Sequence, residues 1–285
     1  MARIRVVTLA CFVGLSGALS AQAELIISEF LANPSGSDSP QEYVELVATG
    51  EIDFGATPYT VVFANNGSGT SDGWVEGGRR TYAFNINSGT VQRGDVVYVG
   101  GSLSAPTISG GTTLRALDTG ATNGDGFGSA SSGGVLGNGG SSADAIGVFN
   151  VSSDSITSAM APIDAIFFGD SVGRAFLSSS EGYMLANNDR YGGGRLLSDS
   201  FLFADGGSGD VGIFEGTFDI SNDSWIIGRT LSYSSSAPSF GTTSLSLGAT
   251  AVPEPGTLVL ALLSAIPAAA FVILKRRDTV RRARS

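Results

Sequence analysis

Two glutamates, Glu29 and Glu45, stand in the first two apolar segments of the chain, where a carboxyl pair could serve acid–base chemistry. Such a pair breaks a glycosidic bond when one member keeps its proton and the other is ionised. Charged residues at alternating strand positions ordinarily form a solvated face. Glu29 and Glu45 are therefore read as surface, and no catalytic residue is assigned. The chain has no histidine, which removes the usual general base near neutral pH, the commonest zinc ligand and the usual activator of a serine nucleophile. Oxygen ligands for a hard cation are the other chemistry that the residue types allow. Asn123, Asp125 and the acidic turn Asp205-Gly206-Gly207-Ser208-Gly209-Asp210 are of the kind calcium takes. No complete calcium loop ending in a bidentate glutamate accompanies them, and turn formation explains the same residues equally well. No cofactor is assigned, and calcium stays open as the alternative.

The elements that would position these groups are strands. Of the 41 glycines, 38 lie between Glu24 and Val252, a content hostile to helix. Short runs rich in β-branched and aromatic residues recur between Gly, Ser, Asn and Asp clusters. They are Leu25 to Phe30, Tyr43 to Val47, Tyr59 to Phe63, Tyr82 to Ile86, Val96 to Val99, Ala145 to Phe149, Ile163 to Phe168, Val211 to Phe214, and Trp225 to Ile227. The pattern predicts an all-β sandwich with long Gly/Ser-rich loops, the longest over Gly110 to Ser142. A short helix is expected over Ser178 to Asn188, capped by Ser178 with Glu181 three residues later. Trp74 is the large apolar residue of the loop Asn65 to Gly78. It is expected to fold back onto the core; as an exposed ring, with Tyr82, it would grip polysaccharide. A weak echo links Asp144-Ala145-Ile146-Gly147-Val148-Phe149 with Asp210-Val211-Gly212-Ile213-Phe214. No third copy makes it a repeat.

The two ends carry addresses. Arg3 and Arg5, the apolar stretch Val6 to Leu19, and Ala21-Gln22-Ala23 form a signal peptide over residues 1–23 with cleavage after Ala23. Glu24 becomes the first mature residue. The single cysteine, Cys11, leaves with the signal, so no disulfide is available. Of the 16 basic residues, two belong to the signal and six to the C-terminal tail, leaving eight against 24 carboxylates in the exported part, a net charge of −16. That field disfavours nucleic acid. After a domain over residues 24–248, residues 249–285 read Pro253-Glu254-Pro255, then an 18-residue apolar run over 257–274, then Lys275, Arg276, Arg277, Arg281 and Arg282. At about 1.5 Å per residue such a run is near the lower limit for crossing a bilayer core of about 30 Å, and the basic cluster stays on the cytoplasmic side.

This tail resembles the PEP-CTERM sorting signal of bacterial surface proteins. The resemblance implies an exosortase-type processing enzyme as partner, a membrane contact through the C-terminal helix, and a non-enzymatic surface or extracellular-matrix role. A carbohydrate-binding adhesin and a simple tail-anchored envelope protein are the alternatives. Leu25-Ile26-Ile27-Ser28-Glu29-Phe30-Leu31-Ala32-Asn33-Pro34, with Glu42-Tyr43-Val44-Glu45-Leu46, resembles the opening of a lamin tail domain. Gly137-Asn138-Gly139-Gly140 before Asp144 to Phe149, then Ile163 to Asp170, is similar to its middle hairpin, and Ser224-Trp225-Ile226-Ile227-Gly228 to its closing strand. That resemblance covers about half the exported part and implies an immunoglobulin-like sandwich.

Overall fold

The computed structural model describes residues 23–35, 42–64, 73–74, 81–100, 114–116, 136–137, 143–172, 182–220, 222–235 and 245–248. The chain forms β1 (Leu25–Leu31), β2 (Tyr43–Ala48), β3 (Ile52–Asp53), β4 (Tyr59–Ala64), β5 (Thr81–Ile86), β6 (Thr90–Val91), β7 (Val96–Gly100), β8 (Leu114–Ala116), β9 (Asp144–Phe149), β10 (Asp164–Phe168), β11 (Val211–Asp219), β12 (Ser224–Ser234) and β13 (Leu245–Leu247). Every segment read as a strand is one, and the last two run further than their apolar cores. β8 lies inside the stretch read as a long loop.

The strands make a seven-stranded sheet in the order β12-β11-β1-β2-β7-β8, with β13 beside β11, and a four-stranded sheet in the order β10-β9-β4-β5. β3 and β6 form a separate ribbon. Pairing is antiparallel except at β7–β8 and β11–β13. The fold is all-β and sandwich-like, because the two larger sheets share one core. Alternate residues of the four-stranded sheet, Val61, Phe63, Phe84, Ile146, Val148 and Ile166, cluster with Leu25, Ile27, Phe30, Val44 and Leu46 of the larger one. Burial of each large side chain there contributes about 1.5–3 kcal/mol.

The opposite parity of the small sheet is buried as well. Val62, Ala83, Phe149, Ala165 and Phe167 pack against Trp74, Tyr183, Leu185, Tyr191 and Leu196. A layer of irregular chain thus covers the sheet's second face, which is why its strands read as nearly unbroken apolar runs.

That covering layer corrects the helix expected over Ser178 to Asn188. Residues 182–188 are extended and turned instead, and 178–181 lie outside the described residues. Met184 bridges Arg195, Leu185 N–H donates to Gly194 O, and Leu196 N–H donates to Tyr183 O. Glycines at positive φ, Gly182 at 84° and Gly192 to Gly194 at 64° to 88°, set the turns. Tyr183, Leu185 and Ala186 are all buried against the sheet. A helical spacing would have turned one of them out to solvent.

The two echoed strands lie in different sheets, β9 in the smaller and β11 in the larger. Their glycines do the same local work. A Cβ on Gly147 would come within 2.7 Å of the Trp74 ring, and one on Gly212 within 2.5 Å of the Phe30 ring. Each strand leaves a gap for an aromatic to lie flat on its backbone.

Candidate functional site

Glu29 and Glu45 are cross-strand partners of β1 and β2, next to a register shift that makes Ser28 the extra residue of a bulge. The bulge aims Ser28 back at the neighbouring strand. Its Oγ lies 2.7 Å from Glu45 Oε1, to which it donates, and 3.1 Å from the Glu45 carbonyl. Tyr43 OH donates to Glu29 Oε1 at 2.5 Å, and Tyr98 OH donates to Glu45 Oε2. Tyr43 and Tyr98 meet edge to face, 5.9 Å between centroids.

The pair is not a solvated face, which corrects the sequence reading. Glu29 is 5% exposed and Glu45 1%. Strand alternation places both on the side of the sheet away from the shared core, but that side is covered too. Burial pushes the Glu29 carboxyl up to about 7, against the Tyr43 hydrogen bond and helped by the charge of Glu45. Glu45 is also raised by burial, opposed by the hydroxyls of Tyr98 and Ser28. Burial and the two glutamates drive the Tyr43 phenol upward, so it stays a donor. Burial thus favours the protonated form of both carboxyls, but their oxygen atoms face hydroxyls instead of a cleft.

A second acid cluster went unread in the sequence. Asp164 at the start of β10 and Asp189 of the covering layer flank Arg229 of β12. Arg229 donates to both Asp164 oxygens, at 2.7 and 2.8 Å, and its Nε lies 2.9 Å from Asp189 Oδ2. It also donates to Ala165 O at 2.7 Å and Ile27 O at 3.3 Å. Ile27 N–H and Ala165 N–H donate to the same Asp164 carboxylate, at 2.7 and 3.0 Å. The guanidinium packs over the rings of Phe214 and Trp225. Burial presses Asp164 toward its neutral form while Arg229 opposes it. With four N–H donors aimed at it, the ionised carboxylate is the form that fits. The two carboxylates hold Arg229 charged. All three side chains are sealed, so the cluster staples both sheets and the covering layer together.

Gly216 makes the staple possible. It sits in a β-bulge of β11 at φ 152°, where a Cβ would stand 3.3 Å from the Trp225 ring and 3.4 Å from the Arg229 Cα. The available signal in the sequence was the charge itself. Asp164 stands between Ile163 and Ala165-Ile166-Phe167-Phe168, and Arg229 follows Trp225-Ile226-Ile227-Gly228. A single charge in a run buried on both faces, as at Asp164, requires a partner, whereas the Arg229 run keeps Ile226 exposed.

The remaining candidates fall as follows. Trp74 is fully buried, donates from Nε1 to Met184 O at 2.6 Å, and meets Phe149, Phe167 and Tyr183. It is folded onto the core and is not available as a glycan-gripping ring. Tyr82 lies in β5 opposite Phe63. In the Asp205 to Asp210 turn, Asp210 Oδ2 accepts from Gly207 N–H at 2.9 Å, and Gly209 N–H donates to Asn33 O at 2.6 Å, so Asp210 does turn chemistry. Among the described residues no three His, Cys, Asp or Glu side chains converge as metal ligands.

A hollow of about 280 Å³ on the β11–β12 hairpin is lined by Glu215, Thr217, Ile226 and Thr230. Among the described residues no helix is long and apolar enough to cross a membrane. Asn123, Asp125, Ala21, Pro253, Glu254, Pro255, the run 257–274, Lys275, Arg276, Arg277, Arg281 and Arg282 lie outside the described residues. No family model, curated protein or solved structure is significantly similar to this chain.

Proposed function

We propose that this is a non-enzymatic protein of the bacterial cell surface or extracellular matrix, exported by its signal peptide and sorted by its C-terminal segment. The observation that carries this reading is the tail sequence: Pro253-Glu254-Pro255, an 18-residue apolar run and an arginine-rich end, in that order. Pro253 and Pro255 fix φ and discourage helix before them, which keeps an extended segment for a processing enzyme to bind. Glu254 supplies its one charge. Lys275, Arg276, Arg277, Arg281 and Arg282 hold the end on the cytoplasmic side. The partner is an exosortase-type transpeptidase, of which this chain is the substrate.

The exported part is read as an elaborated immunoglobulin-like sandwich of the lamin tail kind. Its opening strands, its β9–β10 hairpin and its closing strand are the segments that carry the resemblance. The burial of the acid clusters, closed by Arg229 and by hydroxyls, supports a structural role over turnover. With Trp74 in the core, the adhesin alternative loses its principal aromatic.

The test is intact mass of the protein recovered from native envelope and medium, beside a variant with Pro253-Glu254-Pro255 replaced by three alanines. The expected wild-type chain starts at Glu24 and ends near residue 253, while the variant keeps its tail. If both retain Arg284, the chain is only tail-anchored and the sorting reading fails.

A further inference from the structure

Glu24 is 8% exposed, and its Oε2 makes no hydrogen bond. The group facing it is another acid, Asp223, on the turn between β11 and β12, with Asp164 adding a more distant negative charge. Asp223 is held in place by a left-handed backbone, φ 50°, which an ordinary residue adopts only at a cost. Asp223 itself is exposed, but a buried carboxyl meeting a second one without a donor between them is unfavourable unless a proton or a cation joins them. With the chain continuous through Ala23 the answer is a proton: burial, then Asp223, push Glu24 up to about 9. Arg229 does not serve, being committed to Asp164 and Asp189.

What converges here besides the acids is a single peptide bond. Glu24 N–H donates to Thr49 Oγ1 at 2.8 Å, and Tyr59 OH donates to Ala23 O at 2.9 Å. Glu24 O accepts from Thr49 N–H at 2.8 Å, which fixes the backbone. The Tyr59 hydroxyl also feels the charges of both Glu24 and Asp223. The bond between Ala23 and Glu24 is the one that the signal peptide marks for cleavage.

We propose that the cation of this site is the chain's own α-ammonium, formed when that bond is hydrolysed, and that Glu24 and Asp223 are there to hold the new N-terminus. The inference rests on the export reading. Water adds to the Ala23 carbonyl; the signal leaves as a carboxylate, and the Glu24 nitrogen takes the protons to become –NH3+. An ammonium has three donors. One stays on Thr49 Oγ1, one reaches the Tyr59 hydroxyl whose former acceptor has left, and one turns to the acid pair. Cleavage thus replaces a buried protonated acid with an ion pair, and the mature chain is more stable at neutral and alkaline pH than its precursor.

The sign is fixed by the shift. In the uncleaved chain Glu24 is raised from 4.5 to about 9, so its contribution is fully present below pH 4.5 and is lost as pH rises toward 9. In the cleaved chain the ammonium removes that loss. The experiment compares two chains in detergent, both running to Ser285, one starting at Glu24 and one retaining Gln22-Ala23. At pH 8 the Glu24-start chain should melt at least about 3 °C higher, corresponding to roughly a tenfold smaller unfolding constant. Asp223→Asn should erase the gap. Without any variant, the α-amine of the folded Glu24-start chain should react with an acylating reagent at pH 7 at least tenfold more slowly than in the unfolded chain.

Equal melting with a fully reactive amine overturns the proposal. Equal melting in which calcium raises both chains alike overturns it in favour of a divalent-cation site. A native protein whose mass shows a start other than Glu24 overturns the export reading together with this one. A native start at Glu24 with no gap in melting overturns this one alone.

Discussion

Two buried acid pairs sit about as deep as each other and are solved in opposite ways. Asp164 and Asp189 have a guanidinium between them; Glu29 and Glu45 have the hydroxyls of Tyr43, Tyr98 and Ser28. A guanidinium is always charged, so it favours ionised partners, and it holds Asp164 bidentately. A hydroxyl donates to a carboxylate or to the carbonyl oxygen of a carboxylic acid, so it tolerates either state. The first pair therefore staples layers through an ion pair. The second changes character near neutrality. Burial depth alone does not tell what a buried acid does; the partner does.

The largest effect should come from breaking the first pair. Arg229→Met leaves two sealed carboxylates without a cation and should cost about 3–5 kcal/mol in urea unfolding. Adding Asp164→Asn and Asp189→Asn to that variant should return most of the loss, because no uncompensated charge then remains. A single-variant loss under about 1 kcal/mol would mean that Arg229 holds no more than its packing over Phe214 and Trp225.

The second pair is tested by pH. Glu29 titrates near 7 folded and near 4.5 unfolded, so its stabilising contribution is whole below pH 4.5 and disappears as pH passes 7. The wild-type protein should lose about 2–3 kcal/mol to this group across that window. Glu29→Gln, which still accepts from Tyr43, should flatten that part of the profile and be the more stable chain at pH 8. An unchanged slope would show that Glu29 remains ionised in the fold. Tyr43→Phe should cost less, about 1–2 kcal/mol, from one lost donor to a buried oxygen, read as a shift in urea midpoint.

The difference between the pairs also marks what the sequence could say. Strand existence was legible because β-branched and aromatic runs between glycine clusters have one cheap solution. The folded-back Trp74 was legible from the same reasoning. The burial of Glu29 and Glu45 was not, because alternation assigns a residue to a face without saying whether that face is covered. The partner of Glu45 on β7, Tyr98, is 53 residues away in sequence. Arg229 and Asp164 are 65 residues apart, and nothing local pairs them; only the oddity of each charge in its apolar run was visible. The missed turn chain over residues 182–188 shows the same limit. A capping pattern at Ser178 and Glu181 is a local preference, and burial of Tyr183, Leu185 and Ala186 on a sheet overrode it.

The smallest effect sharpens the comparison most, because it tests a hydroxyl in isolation. Ser28→Ala removes the donor 2.7 Å from Glu45 Oε1 while leaving Tyr98 on the other oxygen. A donor to a carboxyl favours its ionised form, and the Ser28 hydrogen bond acts on Glu45 in that sense. Its loss should therefore cost about 1 kcal/mol at pH 8 and less at pH 5, where the raised carboxyl is closer to neutral. The measurement is urea unfolding of both chains at the two pH values. A loss of equal size at both would mean that Ser28 works through the Glu45 carbonyl, holding the bulge and not the charge. In that case the outer pair would rely on its tyrosines alone, and the contrast with Arg229 would narrow to one donor for each acid.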